Sequence, residues 1–157
     1  MSKRDGDPIL ASNRRALHEY HILEKLEAGI ALRGTEVKSV RAGRVQLQEA
    51  FVEFRNGEAY LVGAHVSAYS HGNRENHEPE RARKLLMHRR EIDRFFGRSR
   101  GKGHTVVPLK MYLSGGRVKV EIALAVGKQQ HDKRQAARER EMDREVAEAM
   151  SRARKGR

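Results

Sequence analysis

The chain has 157 residues, of which 38% are hydrophobic and 5% aromatic, a length that fits one domain with an appendage rather than two independent cores. It carries 33 Lys and Arg against 21 Asp and Glu, and this net charge of +12 favours nucleic acid over an acidic membrane because no apolar run is long enough to span one. The absence of cysteine excludes disulfides and thiolate nucleophiles, and with the lack of a signal-peptide pattern it predicts a reducing, cytoplasmic location.

The N-terminal part predicts a lead-in, a strand and a short helix. Residues 1–10 are polar and aperiodic, which predicts a disordered lead-in. Residues 20–32 predict a strand with a bulge or bend at Gly29, although part of this run would also suit a helix. Residues 35–41 predict a short helix with Thr35 as its N-cap.

The central part predicts a hairpin, a loop and a helix. Residues 50–55 and 58–66 are β-rich and flank Asn56-Gly57, which is the strongest short signal for a β-hairpin. Residues 67–80 are polar and irregular, and such long loops are often functional or mobile. Residues 81–96 have apolar spacing that predicts a helix.

The C-terminal part predicts a second hairpin and a tail. Residues 97–103 predict an exposed basic loop, and residues 105–113 and 118–126 predict a hairpin. The alternation of the last strand predicts one buried face, and it stops at Gly127. Two hairpins, one earlier strand and short helices predict a mainly β fold, a small antiparallel barrel.

The segment beyond Gly127 has ten basic and six acidic residues, so it carries +4 of the +12 and the body carries +8. A helix here would have only a thin apolar stripe, formed by Met142, Val146, Ala149, Met150 and Ala153. This area is too small to offset the entropy of ordering. We therefore predict a tail that is disordered when free and helical on a partner.

Several segments match one known family in order and spacing: Asn13-Arg14-Arg15-Ala16, Glu27-Ala28-Gly29-Ile30, Gly34 to Ser39, Arg81 to Leu86, and Val118 to Ala123 running into Gly127-Lys128 and His131 to Arg134. On these residues the chain resembles the SmpB family of bacterial SsrA-binding proteins over nearly its whole length. The resemblance implies an OB-fold-like β-barrel with flanking helices over residues 11–126 and a basic tail over residues 127–157.

The function that the resemblance implies is trans-translation, which rescues stalled ribosomes. The barrel would bind the tRNA-like domain of transfer-messenger RNA (tmRNA), and the tail would occupy the vacant mRNA path at the decoding centre. The implied partners are tmRNA, the ribosome and the elongation factor that delivers aminoacyl-tRNA. The protein would be a monomer when free, with no cofactor, no membrane and no catalysis.

The resemblance also implies which residues bind RNA. It places the tmRNA face on Asn13, Arg14, Arg15, Glu27, Lys84, Leu86, His88 and Lys119, and the decoding-site tail on Gly127, Lys128, His131, Asp132, Lys133 and Arg134. Lysine and arginine neutralise phosphates, Asn13 and Glu27 can bond to bases and 2′-hydroxyls, and the His131 ring can stack on a base. Val126 and Gln129 depart from the more basic junction of the family, so we expect no phosphate contacts there.

The residues alone leave blander interpretations open. Glu27 is then an exposed strand carboxylate and Leu86 a core residue of a short helix. Four histidines raise the question of a metal site: His65, His71, His77 and His88. Their spacing matches no common ligand pattern, so we predict no metal site.

Two other functions also compete. A basic ribonuclease would need an acid and base pair, and the candidates are His18 with Glu27 or His131 with Asp132. No motif fixes the geometry of either pair, and adjacent residues diverge on a helix. A general nucleic-acid packing protein would use the same phosphate contacts.

Overall fold

The computed structural model describes residues 8–69, 76–128 and 130–155 of the chain. In chain order the elements are β1 (Ile9–Ser12), α1 (Arg14–Glu19), β2 (Tyr20–Ile30), α2 (Gly34–Arg41), β3 (Val45–Gln46), β4 (Phe51–Arg55), β5 (Glu58–Val62), β6 (His65–Val66), β7 (Arg83–Leu86), α3 (Arg89–Ser99), β8 (His104–Ser114), β9 (Arg117–Gly127) and α4 (Gln130–Lys155). Two compact units divide the chain, Met1–Gly127 and Lys128–Arg157.

The first unit is built on one antiparallel sheet. Its seven strands lie in the order β1-β8-β9-β2-β7-β5-β4, and β3 pairs separately with β6. The sheet curls until β4 lies close to β8. No ladder joins these two strands within the described ranges, so the barrel is not closed. The predicted mainly β, OB-fold-like barrel with short helices is confirmed.

The core lies on both faces of β9. Val120, Ile122 and Leu124 belong to the main core, on the face that we call inner. Ala123 and Ala125 lie on the outer face, where they pack in a second cluster with Ala16 of α1. The prediction of a single buried face was therefore wrong for this stretch, because α1 covers the outer face there and small alanines leave room for it.

The predicted hairpins are confirmed, with one change. Asn56 and Gly57 have φ values of 49° and 76°, which the tight turn between β4 and β5 requires. The predicted return strand over 58–66 is interrupted, however, because Gly63 has φ 80° and a Cβ there would come within 2.6 Å of the Glu49 carbonyl oxygen. The chain bends at Gly63, and β6 leaves the hairpin to pair with β3.

The predicted helix over 81–96 was wrong in its first half. Arg83–Leu86 forms β7, with alternating burial, and only Arg89–Ser99 is helical. The sequence does not show the alternation of buried apolar and exposed polar residues that is typical of a strand, because the charged residue Arg83 occupies a fully buried position. The helix also runs past Phe96, so residues 97–99 belong to α3 and not to the predicted basic loop.

Three N-terminal predictions also need correction. Ile9 and Leu10 of the expected lead-in form β1, because the strand finds a partner in β8. The bulge of β2 lies between Ile22 and Glu24 and not at Gly29. The N-cap of α2 is Arg33, whose N–H donates to Glu36 Oε1 over 2.7 Å, and not Thr35.

Some sequence predictions lie outside the described residues. They concern residues 1–7 of the lead-in, the centre of the 67–80 loop (residues 70–75), and Gln129. The two described ends of the loop are hydrogen-bonded to each other. The Asn76 amide donates to the Tyr69 carbonyl oxygen over 2.7 Å and accepts from its N–H over 3.1 Å.

A buried ionic cluster joins α2 to β7. The Glu36 carboxylate accepts from Arg83 Nε over 2.5 Å and from Arg81 over 2.6 Å. The remaining Arg83 nitrogens donate to the carbonyl oxygens of Ala64 and Pro79 over 3.1 and 3.0 Å. Burial raises the pKa of Glu36, but these arginines and the Arg33 N–H outweigh it and lower the pKa to about 2.

Ser39 lies in the same helix, and its hydroxyl is buried without a hydrogen-bond partner in the described part of the chain. We expect Ser39→Ala to leave the free energy of unfolding unchanged or to raise it by up to about 1 kcal/mol, because an unpaired buried hydroxyl is costly. Urea denaturation measures this. The control is Thr35→Val, which removes a hydroxyl bonded to His77 Nδ1 at 2.9 Å and should destabilise. A loss for Ser39→Ala as large as for the control would contradict the prediction.

The second unit is the helix α4, which has exposed side chains along most of its described length. Its apolar stripe is exposed: Met142 by 63%, Val146 by 54% and Met150 by 58%. The tail is helical over Gln130–Lys155 in the chain alone, and its predicted ordering on a partner stays a prediction. None of the helices in the described ranges has the length and apolar content that a membrane crossing requires.

Candidate nucleic-acid interface

Strand register brings three of the predicted tmRNA-face residues together. Lys119 of β9 lies opposite Gly29 of β2, and Gly29 lies opposite Leu86 of β7. Glu27 is two residues from Gly29 and therefore shares its face. This face also carries Ala123 and Ala125, so it is the outer face of the sheet. Lys84 is two residues from Leu86 on β7 and therefore lies on this face as well. We call Glu27, Lys84, Leu86 and Lys119 the outer-face site.

Gly29 brings β7 close to this site. A Cβ at Gly29 would lie 3.1 Å from the Leu86 Cβ, so a larger residue would push the neighbouring side chain away. Leu86 itself is 54% exposed. The interpretation of Leu86 as a core residue of a helix was thus wrong, because it points outward from a strand. The absence of a side chain at Gly29 leaves room for the exposed apolar side chain of Leu86 at the centre of a polar face.

The charged groups of this face are mostly paired. Glu27 accepts a hydrogen bond from the phenol of Tyr112, which is 1% exposed. Glu121 lies 3.8 Å from Lys110 Nζ, and Lys84 Nζ lies 3.6 Å from Glu58. Lys119 forms no ion pair or hydrogen bond within the described ranges. Its ammonium is therefore the cation of this site that a phosphate can reach without breaking an ion pair.

Asn13 has a different position from the one that the sequence suggests. It is 3% exposed and is the N-cap of α1, accepting from the Ala16 N–H over 3.1 Å. Its amide donates to the carbonyl oxygens of Pro108 and Leu47 over 2.9 and 3.2 Å. These contacts hold α1 on the sheet. Asn13 therefore positions the N-terminal arginines, and contact between its amide and a ligand would require α1 to move.

The other predicted residues of the body surround the outer-face site. Arg14 and Arg15 are exposed on α1, which covers part of the outer face, and Arg15 pairs with Glu49. His88 is exposed at the start of α3, two residues beyond Leu86. The fold thus places these residues on elements next to the outer-face site.

Sequence reasoning missed Tyr112, Lys110 and Glu121. Tyr112 lies opposite Lys119, and Lys110 opposite Glu121, in the hairpin of β8 and β9. The signal was present, because the turn at residues 114–116 fixes which residues face each other. Tyr112 is notable because its phenol fixes the orientation of Glu27.

The histidine alternatives find little support in the geometry. The buried His77 ring bonds to the Val66 carbonyl oxygen and to the Thr35 hydroxyl, both at 2.9 Å. His65 lies 3.6 Å from Glu80. His71 lies outside the described residues, and among those described no three candidate ligands come together. Glu27, the carboxylate of one proposed acid and base pair, bonds to Tyr112.

The predicted tail residues begin where β9 ends. Gly127 is its last residue, opposite Tyr20, and its N–H donates to the Gly103 carbonyl oxygen over 3.2 Å. Nothing lies within 4 Å of a Cβ built on Gly127, so this position does not itself require glycine. The backbone of His131, Asp132 and Lys133 belongs to α4, and their side chains lie outside what the structure describes. Arg134 is exposed, and Lys128 lies just before the helix.

Comparison with known proteins identifies the family. The family model described as SmpB protein matches residues 10–152. The SsrA-binding protein of Carboxydothermus hydrogenoformans is 56% identical over 92% of this chain and 97% of its own length. That of Salinispora tropica is 53% identical over 99% of this chain and 98% of its own.

A solved structure agrees with the sequence relatives. It is described as "tmRNA-SmpB: a journey to the center of the bacterial ribosome", and one of its chains is 47% identical to this one with a TM-score of 0.67. The match covers 83% of this chain and 95% of that one. The similarity is thus not confined to the segments that suggested the resemblance but covers nearly the whole chain. The chain belongs to the SmpB family.

Proposed function

We propose that this protein binds tmRNA and acts with it in trans-translation on stalled ribosomes. The observation that carries the proposal is the outer-face site, where Glu27, Leu86 and Lys119 from three adjacent strands meet. Two findings on similar proteins support it. The relatives are SsrA-binding proteins, and the similar solved structure concerns tmRNA-SmpB and the bacterial ribosome.

The outer-face site can recognise the tRNA-like domain by its shape. Lys119 approaches a phosphate, which positions the RNA without reading its sequence. Glu27 is held by Tyr112 and presents its carboxylate to exocyclic amines or 2′-hydroxyls. Leu86 supplies an exposed apolar contact for a base or ribose. Lys84 adds a second ammonium group within the site, Arg14, Arg15 and His88 surround it with further polar side chains, and Asn13 fixes the helix that carries the arginines.

The tail forms the second part of the proposal. Residues 127–157 would enter the vacant mRNA path, with the decoding-site contacts made by Gly127, Lys128, His131, Asp132, Lys133 and Arg134. The division of the chain at Gly127 and the exposed surface of α4 support a separate task for this segment. A helix with exposed side chains and a net positive charge suits a groove lined by ribosomal RNA.

The remaining parts of the proposal concern setting and chemistry. We infer a cytoplasmic monomer that acts beside the elongation factor that delivers aminoacyl-tRNA. Its role is RNA binding and not catalysis, and no metal or other cofactor is needed for that role. Two measurements would contradict this proposal: cleavage of tmRNA during long incubation with the protein, and equal affinity for duplex DNA and tmRNA.

Lys119→Ala tests the outer-face site. We expect the affinity for tmRNA to fall about tenfold and the slope of affinity against salt to decrease by about one, because one phosphate contact is lost. Filter binding over a salt series measures both. The matched control is Lys38→Ala, since the Lys38 ammonium lies over the Tyr69 ring, 5.3 Å from its centroid. Equal losses for the two variants would show a general charge effect and contradict the site.

A further inference from the structure

A second exposed surface lies on α3, on the other side of the sheet from the outer-face site. Glu24 of β2 lies opposite Leu124, a residue of the main core, whereas Glu27 lies opposite Glu121 on the outer face. Arg94 of α3 binds Glu24 over 2.8 Å, and Arg98 also pairs with it. These contacts place α3 on the inner side of β2. Its solvent side therefore does not extend the outer-face site.

The centre of this surface is an exposed aromatic ring. Phe96 is 43% exposed, and the ring of Phe54 packs against it at a centroid distance of 5.7 Å and an angle of 67°. The Arg100 guanidinium lies 5.8 Å from the Phe96 centroid. The neighbouring Phe95 is fully buried and anchors the helix. Phe96 and Arg100 thus form a fixed surface of an aromatic ring and a planar cation.

The stretch of sequence that contains Phe96 is strongly basic. Residues 89–102 contain six Arg and Lys against two acidic residues, for a net charge of +4. Glu24 pairs with Arg94 and Arg98, whereas Arg90, Arg100 and Lys102 form no ion pair within the described ranges. Phosphates are the anions that such a cluster of spaced cations attracts, and a continuous backbone of phosphates suits it best.

We propose that Phe96 and Arg100 form a stacking site for an unpaired RNA base, whose flanking phosphates contact Arg90 and Lys102. Aromatic rings and guanidinium planes both stack on bases, and this contact tolerates any base. An RNA occupant is favoured over a protein because a single ring offers too little apolar area for a stable protein interface. This site is separate from the outer-face site and adds a second RNA contact to the proposed function.

Fluorescence tests the proposal because the chain contains no tryptophan. Phe96→Trp in the full chain places the only indole at the site. We expect a single-stranded hexamer of adenylate to quench its emission in a saturable, salt-sensitive way, since a stacked base quenches indole fluorescence. The matched control is Phe51→Trp on β4, where the native ring is 42% exposed, and there we expect no saturable quenching.

Further variants separate this site from the proposed function. Arg100→Gln in the Phe96→Trp chain should weaken hexamer binding about fivefold or more. Lys119→Ala in the same chain should leave quenching by the hexamer unchanged even as it lowers the affinity for tmRNA. The proposal is overturned if Phe96→Trp shows no quenching, if an abasic hexamer quenches equally, or if Phe51→Trp responds in the same way. Urea midpoints equal to that of the unmodified protein establish that the variants are folded.

Discussion

Glu36→Gln is expected to lower the free energy of unfolding by about 3 kcal/mol or more, because it leaves the buried guanidinium of Arg83 without its carboxylate. Arg83 and Glu36 are both 0% exposed, so water cannot replace the lost partner. Urea denaturation at neutral pH measures the loss. The control is Glu53→Gln, which removes the partner of the exposed Arg55 and should leave the midpoint unchanged.

The same cluster predicts a pH dependence. Because the pKa of Glu36 falls from its ordinary 4.5 to about 2 in the folded chain, the stabilisation is fully present above pH 4.5 and is lost as the pH falls towards 2. This fall in pKa corresponds to ~3 kcal/mol. The unmodified protein should therefore lose stability steeply between pH 4.5 and 2, and Glu36→Gln less steeply. If the free energy of unfolding fell equally with pH in the two proteins, Glu36 would not be the source of the pH dependence.

Ending the chain after Gly127 should abolish tagging of stalled peptides while the affinity for tmRNA stays within about threefold of the full chain. The outer-face site lies entirely within the first unit, and the proposed decoding residues other than Gly127 lie in the second. The tail still contributes some affinity through its net charge of +4, so the comparison is made at physiological salt. Binding and tagging assays on the same preparations measure the two effects.

A second variant tests the tail without removing it: the full-length chain with Lys133→Ala and Arg134→Ala. It keeps the whole length of the tail and should lose tagging without loss of tmRNA affinity. If the truncated chain lost binding and tagging to the same extent, the division of tasks at Gly127 would be wrong. Normal tagging by the truncated chain would contradict a role for the tail.

The parts of the fold that the sequence predicts are those with local causes. Asn56-Gly57 predicts its hairpin because a two-residue turn with positive φ accepts few other residues. The strand ending at Gly127 is recognised because five apolar residues alternate before it. The turn of the second hairpin would also have allowed the pairing of Lys119 with Tyr112 to be predicted, but Tyr112 was missed. Local chemistry thus accounts for the hairpins and for part of the outer-face site.

The parts that the sequence does not predict depend on distant partners. Arg83 belongs to a strand, yet its burial becomes understandable only when Glu36, 47 residues away, provides the opposite charge. From the sequence, Asn13 is expected to be an exposed polar residue. In the structure it is buried, because its amide donates to the carbonyl oxygens of Leu47 and Pro108. Ala123 becomes a core residue only because α1 covers it. Secondary-structure propensity and hydrophobic periodicity depend on neighbouring residues, so they cannot predict contacts between residues that are distant in the sequence.

The hydrogen bond from Tyr112 to Glu27 has a consequence for the entropy of binding. A carboxylate on an open strand samples several rotamers, and freezing them costs part of the affinity. Here the buried phenol has already restricted Glu27 during folding, and the pairing of Lys110 with Glu121 restricts two more side chains beside it. RNA would therefore meet a surface whose shape is largely set in advance, and most of the ordering on this face would fall to Lys119.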